Sequence, residues 1–237
     1  MPSFENTQAR ATIADGIELV LFDYGQVLSQ PPDPAAWLRM QSVTELSDAR
    51  MHEAYWRFRH DYDRDALNGL AYWREVARHA GIALSDAQID ALLAADVDLW
   101  TRPNQPMIAW AGRLQRAGVR TAVLSNIGDA MAAGVTARLE WLKGFERCIW
   151  SCALKLAKPD PEIFRRTIEL LRVMPEHILF IDDKEENIAA ARGAGMQALQ
   201  YSAQANFAAE MLGGGFSSLL EIGSRQDAVV QAGSRPA

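Results

Sequence analysis

Lysine is scarce in this chain. Only four occur, at 143, 155, 158 and 184, so no lysine amine is available to chemistry housed before Lys143. Cysteine is scarcer, with Cys148 and Cys152 alone. Two cysteines exclude a disulfide framework and cannot by themselves make a four-ligand zinc site. They read as two small buried residues. The four histidines, His52, His60, His79 and His177, show no metal-ligand spacing and read as surface or structural residues. Positive charge is in deficit, with a formal net charge of −6 and a pI near 5.3. That balance argues against nucleic-acid or acidic-membrane partners. No apolar run approaches the length of a membrane span, and no cationic segment followed by an apolar core opens the chain. A cytoplasmic location is the expectation. A glycine-rich nucleotide loop, an internal repeat and a low-complexity tract are also missing.

What is present is an ordinary globular balance in 237 residues, 49% apolar and 23% charged, enough for one large domain or two small ones. Leu19-Val20-Leu21-Phe22 runs without interruption into Asp23, with Gly25 two residues on. A short unbroken apolar run fits a strand covered on both faces. Its terminal acid then lies at the strand-end edge where open α/β sheets bind ligands. Alone, Asp23 and Gly25 read equally well as a simple turn.

Residues 1–16 are polar and read as a loose lead-in. Pro31-Pro32-Asp33-Pro34 breaks regular structure, and Asp33 can cap a helix that has Pro34 at its first position. Residues 31–104 then show helical spacing and no strand alternation, which predicts an inserted all-helical module. Four of the seven tryptophans, at 37, 56, 73 and 100, fall in it and read as core packing. Beyond it, strand and helix alternate. Strands are predicted at about 119–124, within 145–152, at 178–181 and at 196–201. Helices are predicted at 107–117, 129–142, 161–171, 186–193 and 206–212. Such alternation means a Rossmann-like parallel sheet with helices on both faces. The α/β core spans 17–30 and 105–222, and 223–237 reads as a disordered tail.

Three predicted strands end in polar groups: Asp23, Ser125-Asn126 and Asp182-Asp183. Lys158 precedes Pro159-Asp160-Pro161 in a loop able to reach the same edge. Facing carboxylates repel unless a cation or a proton lies between them. Oxygen ligands plus water suit Mg²⁺, which also binds phosphate oxygens. A metal and a lysine would remove the repulsion between a carboxylate nucleophile and a phosphate, and Ser125 could donate to phosphate oxygens. Each part has a plainer reading: an acidic helix start, a surface lysine, a strand-end serine.

Taken in order, the motifs Asp23-Tyr24-Gly25-Gln26-Val27-Leu28, Leu124-Ser125-Asn126, Lys158-Pro159 and Asp182-Asp183 with Asn187 resemble the haloacid dehalogenase superfamily of hydrolases. The resemblance covers about 17–202. The helical insertion resembles that superfamily's helical cap. The first motif and the acidic pair look most like the branch containing the N-terminal phosphatase domain of soluble epoxide hydrolases. The resemblance implies a Mg²⁺-dependent phosphatase acting on a small phosphorylated metabolite through an aspartyl-phosphate. It implies Asp23 as nucleophile and metal ligand, and Ser125 and Asn126 as phosphate-binding residues. Lys158 would steady nucleophile and substrate, Asp183 would bind metal with Asp182 in support, and Gly25 would ligate through its carbonyl.

The family's phosphatases usually carry a second Asp where Gly25 stands, as general acid and base. Its absence points to a good leaving group, to a slow enzyme, or to another acid such as Asp61 or Asp63 of the cap. Two other readings follow from the resemblance. One is a metal-independent 2-haloacid dehalogenase using a cap arginine, with Arg39, Arg57, Arg59 and Arg64 available. The other is a weakly active phosphate-binding regulatory protein. Phosphonate cleavage needs a cap lysine, which this chain lacks. Substrate identity and oligomeric state are not legible.

Overall fold

The computed structural model describes residues 15–222. The predicted lead-in falls almost wholly outside them, and the predicted tail entirely so. Five parallel strands form one sheet: β1 (Leu19–Phe22), β2 (Arg120–Ser125), β3 (Arg147–Trp150), β4 (Ile178–Asp182) and β5 (Gln197–Gln200). Their order is β3-β2-β1-β4-β5. β1 lies at the centre, with Phe22 opposite Val123 of β2 and Ile181 of β4. All four side chains of β1 are fully buried. Val20 and Phe22 face one apolar layer, and Leu19 and Leu21 the other. Burial on both faces is why the run has no polar alternation, and each such side chain contributes about 1.5–3 kcal/mol.

Between β1 and β2 lie α1 (Pro34–Thr44), α2 (Asp48–Arg57), α3 (Arg59–Asp63), α4 (Gly69–Ala80) and α5 (Asp86–Trp100). Asp33 caps α1 by accepting from the Ala35 amide, with Pro34 in the first turn. Ser85 and Gln88 close a reciprocal capping box on α5. The two chain crossings into this helical unit pair with each other. Gln30 N donates to Arg102 O at 2.7 Å, and Asn104 N to Leu28 O at 2.8 Å. The core continues with α6 (Gln105–Arg116), α7 (Asp129–Arg138), α8 (Ser151–Leu154), α9 (Pro161–Leu171), α10 (Glu185–Gly193), α11 (Gln204–Gly213) and α12 (Ser217–Glu221).

Three expectations are corrected. Ser47 and Asp48 read as the cap of a helix running to about Arg59, with Ala54, Tyr55, Phe58 and Tyr62 at helical spacing; the structure breaks that spacing at Phe58 (φ −109°), and α3 starts at Arg59. The helix expected to reach Leu142 ends at Arg138. Leu139 (φ −106°, ψ 87°) leaves the helical region, and a 3₁₀ turn at Glu140–Gly144 follows. Of the four cap tryptophans, only Trp73 is wholly core. Trp56 is 40% exposed, and both Trp56 and Trp100 line the cavity described below.

The helical unit is held on the core through α3. The Tyr62 ring lies on Gly128, so closely that a Cβ there would clash with the ring's Cζ. Asp129 Oδ1 accepts from the Gly69 amide at 2.9 Å. Gly128 has an ordinary φ of −76°, so its requirement is one of space. Gly128→Ala is expected to destabilise the fold by about 1–3 kcal/mol, the usual cost of overpacking. A urea unfolding series with unchanged slope and a lowered midpoint checks this.

Candidate active site

The C-terminal ends of β1, β2 and β4 open on one cavity of about 110 Å³. The core contributes Asp23, Gly25, Gln26, Asn126, Ile127, Lys158, Asp183, Lys184 and Asn187 to its lining. The cap contributes Trp56, Arg59, Asp63 and Trp100. Parallel pairing brings the strand ends together, because Phe22 and Ile181 are in register and Asp23 follows one while Asp182 follows the other.

Lys158 is the hub. It is 3% exposed, and its Nζ lies 2.9 Å from Asp23 Oδ1 and 2.6 Å from Asp182 Oδ2. The same amine donates to Leu124 O at 3.0 Å, which completes its three donors. Burial would lower its pKa, but Asp182 and Asp23 outweigh that and hold it raised. Asp23 Oδ1 also accepts from the Tyr24 amide at 2.7 Å. Its Oδ2 takes no hydrogen bond among the described residues. That fixes the carboxylate by one oxygen and leaves the other for chemistry. Burial raises the Asp23 carboxyl to about 7; Lys158 opposes this, and Asp182 and Asp183 add to it.

The other residues of the set have distinct surroundings. Asp182 is fully buried and accepts from Asn187 Nδ2 (2.9 and 3.0 Å) and from the Lys184 amide (2.9 Å) as well as from Lys158. Asp183 is half-buried and faces the cavity, with Oδ2 accepting from Gln26 Nε2 at 2.8 Å. Its carboxyl is raised by burial and then by Asp182, against Lys184 and Lys158. Asn126 commits both side-chain groups to the Lys158 backbone: Nδ2 donates to its carbonyl and Oδ1 accepts its amide, each at 2.8 Å. Ser125 is buried at the end of β2, and the cavity wall beside it is formed by Asn126 and Ile127. Gly25 lines the cavity with an ordinary backbone (φ −65°, ψ 128°).

Carboxylate oxygens of Asp23, Asp182 and Asp183 lie within 4.8 Å of one another. Three acids share the single buried lysine, so one more cation would balance the charge. Hard oxygen donors at this spacing fit a divalent ion.

Three features lay beyond the sequence reading. Gln26 sits in the left-handed region (φ 60°), an uncommon place for a non-glycine residue, and from there reaches Asp183. Ser151 Oγ accepts the Ile127 amide at 2.8 Å and donates to Asp63 O at 2.5 Å, linking the loop after β2 to α3 of the cap. Arg59, on the cavity wall, belongs to a buried cluster with Tyr55, Asp63 and Asp96. Asn187, by contrast, was legible in advance, placed one helical turn beyond the acidic pair.

A parallel sheet whose strand ends gather an acid, a lysine and an acidic pair under a helical cap defines a capped α/β hydrolase. The haloacid dehalogenase-like hydrolase family matches residues 17–195, and the chain belongs to that family. It is 26% identical over 196 residues to bifunctional epoxide hydrolase 2 of Sus scrofa, covering 76% of this chain. The chain spans about a third of that relative's length (35%). Its fold matches a haloacid dehalogenase-family enzyme of Bacteroides thetaiotaomicron solved with magnesium and inorganic phosphate. The TM-score is 0.66 at 23% identity, over 80% of this chain and 96% of that one. It also matches L-2-haloacid dehalogenase of Xanthobacter autotrophicus with chloropropionic acid covalently bound. There the TM-score is 0.58 at 19% identity, over 84% and 83% of the two chains. At these identities the two likenesses establish the fold. Among the described residues no helix is long and apolar enough to cross a membrane.

Proposed function

We propose that the protein is a Mg²⁺-dependent phosphomonoester hydrolase for a small organic phosphate, working through an aspartyl-phosphate on Asp23. The observation that carries this reading is the cluster of three carboxylates, with Asp23 and Asp183 on the cavity and Asp182 buried behind them, around a single buried lysine. Asp23, Asp183 and the Gly25 carbonyl would hold the metal, with Asp182 behind them fixing Lys158. The ion would supply positive charge against the phosphate oxygens, an effect worth several kcal/mol in a site sheltered from water.

The chain's own residues do the rest. Lys158 and the Tyr24 amide hold Oδ1 of Asp23, so Oδ2 is the oxygen that attacks phosphorus. Lys158 neutralises the nucleophile as a second anion approaches. Asn126 holds the lysine's backbone, and Asn126 and Ile127, the two residues after the buried Ser125, line the cavity beside the phosphate position. The cap closes over the reacting group and limits water.

The dehalogenase reading is disfavoured by the cap arginines. Arg39 is paired with Asp98 at 2.8 Å and Arg64 with Asp61 at 2.9 Å. Arg57 lies over the Phe58 ring. Arg59 alone of the four lines the cavity, and its nitrogens are engaged by Asp63, Asp96, Tyr55 and Met131. Arg39, Arg57 and Arg64 do not line the cavity, and the guanidinium of Arg59, which does, is already engaged.

The test is phosphate release from p-nitrophenyl phosphate with Mg²⁺ and with excess chelator. Chelation is expected to lower kcat/KM by at least ~10²-fold, and re-added Mg²⁺ to restore it. Halide release from 2-chloropropionate in chelator would instead establish the dehalogenase. Tight phosphate binding with no turnover across alkyl and aryl phosphates would establish the regulatory reading.

A further inference from the structure

The cavity has an acid on its cap wall. Asp63, the last residue of α3, is 8% exposed and lines the same cavity as Asp23. Its Oδ1 accepts from Arg59 Nε at 3.2 Å, and its Oδ2 makes no hydrogen bond among the described residues. The residue is tied to the core, because its carbonyl accepts from Ser151 Oγ, which also takes the Ile127 amide. The acid is thereby set against the loop that follows β2, beside the expected phosphate position. Asp61, the other acidic candidate of α3, pairs outward with Arg64 and does not line the cavity.

We infer that Asp63 is the general acid and base of the hydrolysis, acting from the cap in place of the carboxylate that Gly25 cannot supply. This rests on the phosphatase reading. In-line displacement puts the leaving oxygen on the far side of phosphorus from the attacking one. Asp23 lines the cavity from the sheet edge and Asp63 lines it from the cap, so the two acids face a bound phosphate from different walls. In the first step Asp23 Oδ2 forms a bond to phosphorus, the ester P–O bond breaks, and the departing oxygen takes the proton of Asp63. In the second step Asp63, now a carboxylate, takes a proton from water as its oxygen bonds phosphorus. The P–O bond to Asp23 then breaks, which releases phosphate and restores both acids.

The charges facing Asp63 are Arg59 from its own helix, Asp96 from α5 and Lys184 from the start of α10. Burial raises the Asp63 carboxyl, Arg59 opposes that, Asp96 raises it further and Lys184 lowers it. Arg59 is shared with Asp96, which it meets at 3.1 Å, so its charge does not belong to Asp63 alone.

The experiment compares Asp63→Asn with wild type, both with Mg²⁺, on ethyl phosphate and p-nitrophenyl phosphate. Ethoxide needs a proton to leave, whereas nitrophenolate does not. The expected loss in kcat/KM is ~10²–10⁴-fold on ethyl phosphate and at least tenfold smaller on the aryl ester. The wild-type ethyl phosphate profile should fall at high pH as Asp63 ionises, and the variant should lack that limb. Equal losses on both esters, or no loss on ethyl phosphate, would overturn the inference. If Asp63→Asn does not fold, a leaving-group series on wild type decides. Rates nearly independent of leaving-group basicity support the acid, and rates falling steeply with basicity overturn it. Wild type inactive on every ester would sink the phosphatase reading itself, and the inference with it.

Discussion

Asp23→Asn is expected to abolish phosphate release and, in metal-free buffer above pH 7, to raise the melting temperature. The first effect follows from chemistry, since a neutral amide cannot attack phosphorus and return as a carboxylate. The second follows from linkage. Burial, with Asp182 and Asp183, holds the Asp23 carboxyl near 7, above the ordinary carboxylate value of ~4. The folded state therefore binds this proton more tightly than the unfolded chain does. Between about pH 4 and pH 7 stability falls as pH rises, and above 7 the full cost is present. That cost is on the order of 2–4 kcal/mol, and asparagine does not incur it. For a chain of this size the variant should melt about 5–10 °C higher at pH 8. The gain should vanish below about pH 4, where the wild-type carboxyl is protonated in both states. Added Mg²⁺ should reverse the order, because wild type keeps its full ligand set and gains stability by binding. A phosphate-release assay checks the first effect, and calorimetry at pH 4 and pH 8, with and without Mg²⁺, checks the three thermal ones. A variant that melts lower than wild type at pH 8 without metal would contradict the account.

The sequence revealed the parts of the site that follow from local pattern. β1 and β4 could be read because burial on both faces forces unbroken apolar runs, and an acid ending such a run is conspicuous. Lys158 could be placed because a proline-rich turn and a capped helix follow it. The side-chain links between distant segments could not be read. Gln26 and Asp183 stand 157 residues apart, and Ser151 and Asp63 stand 88 apart. Neither pair leaves a periodic trace. The break at Phe58 escaped for a related reason, since Ala54, Tyr55, Phe58 and Tyr62 keep helical spacing across it. α3, which starts after that break, brings Asp63 to the cavity wall and its carbonyl to Ser151. Arg59 was visible as a cap arginine, but its engagement by Asp63, Asp96 and Tyr55 depends on the packing of α2, α3 and α5.

Gly25→Asp is expected to rescue the Asp63→Asn variant. Gly25 has φ −65°, which any residue adopts, so the substitution meets no backbone strain. A Cβ at that position would meet only Cζ3 of Trp100, at 3.8 Å, an ordinary contact. The new carboxyl would enter the cavity two residues after Asp23, where it can protonate a leaving group. On ethyl phosphate the double variant should recover ~10²–10³-fold in kcat/KM over Asp63→Asn alone. In wild type the same substitution should gain far less, because Asp63 already supplies the proton. The double-mutant cycle is therefore expected to be strongly non-additive, as for two groups serving one function. The added charge carries a predictable cost. A fourth carboxylate beside Asp23, Asp182 and Asp183 increases their repulsion, so Gly25→Asp should depend more steeply on Mg²⁺ and melt lower in its absence. An equal gain in both backgrounds would mean that Asp63 supplies no proton and that wild type works without an acid.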